Sequence, residues 1–131
     1  MGEEALVESQ IEDSISFVKS LDSQGDKPSA AVWNYFPDAD DWRLLIAGPT
    51  FDALLPKDEA RAYQRVAEAL SNANVSSLSI GQMKIVRTDY PMLNATRFLL
   101  KTSPDAVIRA HFKDNRINGI FIKEMLVLRA A

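Results

Sequence analysis

Apolar positions along this 131-residue chain follow two periods, and the switches between them mark the elements. Leu6, Val7, Ile11, Ile15, Val18 and Leu21 recur at three- and four-residue steps, which predicts a helix over about residues 5–21 with one apolar face. Glu8, Glu12, Asp13 and Ser14 then fall on its wet side. Acidic residues crowd its first turn and Gly25 follows its end, which suits the helix dipole and a left-handed C-terminal cap. The stripe packs on a sheet or, as the alternative, against a copy of itself, which would leave the helix peripheral.

The period shortens after Ser29. Val32–Phe36 is β-branched and aromatic, and Arg43–Ala47 is nearly continuous apolar, as a strand covered on both faces should be. Between them Pro37–Asp41 supplies a preset φ and carboxylates that can bond nearby backbone, so residues 30–48 read as a hairpin with a four- or five-residue loop. Thr50–Leu55 is expected as an irregular crossing in which Phe51, Leu54 and Leu55 plug one end of the core. A second helix is expected from Pro56 to about Ala73, with Asp58 and Glu59 in its first turn. Its inward stripe would be Ala60, Tyr63, Val66, Ala67 and Leu70.

Residues 76–79 read as loop and Met83–Arg87 as a strand. Strand, helix and strand in that order suggest a right-handed crossover with the two strands parallel. Pro91 opens a third helix to about Lys101, with Asp89 placed to cap it. In the tail, Asn118-Gly119 is the favoured type I′ pair and sets Ile117 opposite Ile120, Asp114 opposite Lys123 and Lys113 opposite Glu124. A rival turn at Asp114-Asn115 would oppose Phe112 to Ile117. Residues 120–128 are apolar almost throughout, which predicts an interior strand.

The order α-β-β-α-β-α-β-β predicts an α+β two-layer sandwich, with about three helices on one face of a five-stranded, mostly antiparallel sheet, and a single domain over residues 1–131. Trp33, Tyr35, Phe36 and Trp42 exceed what one face easily buries, so a surplus would form an interface or a pocket wall.

The chain has no cysteine, which excludes disulfides, thiolate metal sites and cysteine nucleophiles and fits a reducing compartment. With an acidic start and no window long and apolar enough for a membrane span, the expectation is a cytoplasmic protein without a membrane partner. Charge divides unevenly. Residues 1–74 hold 6 basic and 14 acidic side chains, a net of −8, and residues 75–131 hold 9 and 4, a net of +5. A basic patch with a partner, or mutual neutralisation within one fold or a dimer, would each produce that division.

The nearest approach to a metal motif is Asp38-Ala39-Asp40-Asp41, whose carboxylates suit Mg²⁺ or Ca²⁺. It lacks the glycine and the distant glutamate of an EF-hand, and a solvated hairpin turn is the favoured reading. His111 is the sole histidine and is expected to face Leu126 within the apolar end of the hairpin. Together these residues would serve a small metal-dependent hydrolase or nuclease. Arg109, Lys113, Arg116, Lys123 and Arg129, with Lys84 and Arg87 nearby and Phe112 and Phe121 between, would serve nucleic-acid binding. The acidic balance and the presence of Asp114 and Glu124 in the same hairpin argue against it. Phosphate-loop, dinucleotide and nucleophile-elbow motifs are absent, so no catalytic residue, metal ligand or cofactor is assigned.

Trp42–Ala47 followed later by Ile117–Ile122 resembles short single-domain bacterial proteins, the resemblance covering those two strands and loosely residues 59–70. It implies a bacterial origin and no activity. The leading expectation is therefore an interaction or regulatory domain that acts through a surface, pairing with itself or another protein. Trp33, Tyr35, Trp42, Arg116 and Lys123 are its candidate contact residues.

Overall fold

The computed structural model describes residues 5–131. Helix α1 spans Glu8–Ser23, followed by strands β1, Ala30–Phe36, and β2, Asp41–Ala47. Two helices come next, α2 over Pro49–Leu54 and α3 over Glu59–Ala73. A 3₁₀ turn at Ile80–Gln82 leads into β3, Met83–Ile85. Helix α4, Pro91–Leu99, and the strands β4, Ala110–Ile117, and β5, Ile120–Ala130, complete the chain. The sheet runs β3-β2-β1-β5-β4. Only the β2–β3 pair is parallel, the geometry expected of the crossover through α3. Both hairpins take the expected form: Phe36 pairs with Asp41 across a four-residue loop, and Ile117 pairs with Ile120 across Asn118-Gly119. Asn118 and Gly119 have φ of 52° and 79°, the positive values that a type I′ turn demands.

Helices α1, α2 and α3 cover one face of this sheet, the expected α+β arrangement, and α4 adds partial cover to the other. Alternate residues of β1 and β2 divide accordingly. Ala31, Trp33, Leu44 and Ile46 join Phe17, Val18, Phe51 and Val66 in one cluster, whereas Val32, Leu45 and Ala47 join Leu93 and Ala95 in a second. Helix α1 is therefore integral, not peripheral: Phe17, Val18 and Leu21 are fully buried. It ends in a Schellman motif, with Asp26 N–H donating to Leu21 O and Gly25 N–H to Asp22 O while Gly25 takes φ 88°.

Several local expectations are corrected. Residues 49–54 form a helix, with Pro49 in its first turn, so the proline start lies there and α3 begins only at Glu59. Gly48 permits this turn because a Cβ there would stand 3.0 Å from Lys27 O. In α3 the buried residues are Ala62, Val66 and Ala69, with Tyr63 and Leu70 at the margin, and Ala60 and Ala67 are exposed. Ser14 is buried, not wet. Trp33 Nε1 donates to its Oγ at 3.1 Å, and the hydroxyl donates in turn to Ile11 O. Asp89 does not cap α4, whose N-cap is Tyr90; it pairs with Arg87 at 3.4 Å.

Candidate functional site

The longest unpaired edge of the sheet is β4, since the opposite edge strand, β3, has three residues. Among the described residues no backbone hydrogen bond leaves β4 on its outer side. An open edge of this kind presents a row of N–H and C=O groups to any second strand. Sequence alternation explains what flanks it. Phe112, Ile117 and Ile120 point toward the α4 side and pack only partly against that cluster. Asp114, at φ 52°, interrupts the ladder between the Lys113–Glu124 and Asn115–Ile122 pairs, and Lys123 across from it is likewise left out. The side-chain alternation shifts by one there, which keeps Ile120 and Ile122 on the same face as Met125 and Val127.

The polar groups of this hairpin are paired locally. Glu124, 9% exposed at its side chain, lies 2.6 Å from His111 Nε2, so the carboxylate expected opposite Lys113 binds the diagonal neighbour instead. Lys123 Nζ stands 3.8 Å from Asp114, the expected cross-strand pair. Arg116 lies over the exposed ring of Phe121, 5.4 Å from its centroid. Arg109 donates to Glu8 of α1 at 2.7 Å, and that bond holds the Glu8 carboxyl below its ordinary value and the Arg109 guanidinium above its own.

Arg129 is not available to any partner. It is fully buried near the end of β5, and its five N–H donors are all engaged: two to Asp22 carboxylate oxygens at 2.9 Å, and one each to Ala106 O, Pro28 O and Asp105 O. The other basic residues are dispersed, with Lys84 on β3 at the far edge from β4 and Arg87 on an ion pair with Asp89. The seven do not form one stripe.

The aromatic contact residues divide as well. Trp33 is fully buried and Tyr35 6% exposed, so both belong to the core side of the α1 face. Trp42 is half-buried against the same cluster, its ring 5.6 Å from that of Tyr35. Arg116 and Lys123 lie apart from them, on the terminal hairpin. In the β1–β2 turn, Asp40 accepts from Tyr35 Oη at 2.5 Å and Asp41 from Arg43 Nε at 2.8 Å, which leaves Asp38 alone of the three without a protein partner among the described residues. His111 is on β4 and does not meet them. Among the described residues, no group of three or more histidine or carboxylate side chains is arranged to hold a metal ion, and no helix is long and apolar enough to cross a membrane.

The edge itself was not singled out from sequence, although the hairpin was. The available signal was the polar, charged character of residues 109–116 beside the apolar residues 120–128, which suits an outer strand next to an interior one. Comparison with family models, with curated proteins and with solved structures finds no match.

Proposed function

We propose that the chain is a single-domain interaction or regulatory module of the bacterial cytoplasm that self-associates through the outer edge of β4. One observation carries this reading: an eight-residue edge strand, with no backbone hydrogen bond on its outer side among the described residues, stands beside apolar side chains that the fold leaves half-covered. A second copy is the favoured occupant because antiparallel pairing about a twofold axis is self-complementary. Full overlap of the two strands would set Lys113 of each copy opposite Asp114 of the other. Opposite charges so placed support the pairing, and shifted registers lose them.

Light scattering across a wide concentration range tests the proposal. A dimer is expected, weakened by Lys113→Glu and by Asp114→Lys taken singly and recovered when the two exchanges are combined. A clean monomer at high concentration would end the self-association reading.

A further inference from the structure

Where β1 turns into β2, far from the β4 edge, a cavity of about 350 Å³ opens against Phe36, Pro37 and Ala39, with Asp38, Arg43 and Lys84 around it. That volume falls within the range of small-molecule sites. Its charges are only partly used by the protein. Asp41, also in the wall, is engaged by Arg43 Nε at 2.8 Å, whereas the two terminal amino groups of Arg43 make no bond to a described residue. The Lys84 ammonium forms no ion pair among the described residues and stands 5.7 Å from the Phe36 ring centroid and 5.6 Å from that of Tyr90, which steadies it by cation–π attraction. Asp38 is exposed with no partner among the described residues.

We infer that this cavity binds a free amino acid with an apolar side chain. Its carboxylate would meet the Arg43 fork and Lys84, its ammonium Asp38, and its side chain the surface of Phe36, Pro37 and Ala39. Two cations disfavour a metal ion, and Asp38 disfavours a phosphate. A zwitterion satisfies both signs at once, and charge-assisted hydrogen bonds from a guanidinium fork are the strong ones. The inference does not depend on self-association, because it uses other residues at another corner of the sheet.

The test is an NMR titration of the ¹⁵N-labelled chain with three probes: L-phenylalanine, 3-phenylpropionate, which lacks the ammonium, and phenethylamine, which lacks the carboxylate. L-phenylalanine should give saturable shifts concentrated on the amides of Ala39, Arg43 and Lys84. Each analogue should bind about tenfold more weakly, the loss expected when one charged hydrogen bond is removed. Asp38→Asn should erase the preference over phenylpropionate, and Lys84→Met should weaken both acids, while the spectra of these surface variants report directly that the fold persists. Absence of localised shifts with L-phenylalanine, equal binding of phenylpropionate to the native chain, or indifference to both substitutions would overturn the inference.

Discussion

The two faces of the sheet are built to different standards. On one, α1 and α3 contribute 16 and 15 helical residues over a cluster in which Trp33, Leu44, Ile46 and Leu128 have no exposed surface. Two of its buried polar side chains are matched with partners, Trp33 with Ser14 and Arg129 with Asp22. On the other, the nine residues of α4 leave Phe36, Phe112, Ile117 and Ile120 half-covered, and α4 itself exposes Phe98 at 71%. Cohesion is thus concentrated on one side, and the capacity to meet something else on the other.

Substitution should make that division measurable. The largest effect is expected at the buried ion pair that ties β5 to the end of α1: Arg129→Met leaves Asp22 without its partner and should lower the unfolding free energy by about 3–5 kcal/mol. Urea denaturation measures it, and a loss below about 1 kcal/mol would mean that the pair is not what holds the closed side together. Next comes a direct contrast of faces. Ile46→Ala, at a fully buried site under the helices, should cost about 2–5 kcal/mol, and Ile117→Ala, at the half-covered margin, clearly less than that in the same assay. Equal losses would erase the distinction.

The smallest effect concerns acid. Asp13 accepts from the Ser77 hydroxyl and backbone N–H, and these bonds hold its carboxyl below the ordinary value. A depressed carboxyl contributes stability that is present above the unfolded pKa and lost as pH falls through the folded one. Ser77→Ala should therefore lower the melting temperature slightly near neutrality and flatten its decline on acidification below about pH 4, so that the two chains converge in acid. An unchanged acid limb would show that the α1 tether at Ser77 does not titrate in this way.

Much of this arrangement was legible in the chain because it is local. Asn118-Gly119 prescribes its own turn, and the turn prescribes the register through to His111 opposite Leu126. Gly25 announced the end of α1 in the same way. What could not be read depends on partners remote in sequence. Ser14 looks solvent-facing on a helical projection, but Trp33, on a strand 19 residues away, supplies the donor that pulls it inside. Arg129 reads as a charged strand end, and its acceptor Asp22 lies 107 residues earlier. The inward stripe of α3 was misread for a related reason: alanine suits either side of a helix, so Ala60 and Ala62 differ only by what tertiary packing brings against them. The helix from Pro91 was expected on the same face as the others; α4 instead packs Leu93 and Ala95 against Val32 and Leu45 on the opposite face, because its apolar residues suit either side and tertiary packing decides.

The position of β5 bears on how the molecule is made. It is synthesised after the other four strands yet lies between β1 and β4, hydrogen-bonded to both. Until it leaves the ribosome, β1 has one side of its backbone open and the helices have an incomplete surface to close on. Until then the side of β1 that β5 will cover, and β4, lack their partner, and exposed strand edges are where misassociation is easiest. The nascent chain's vulnerable period ends late, when the tail arrives and the guanidinium of Arg129 reaches the first helix.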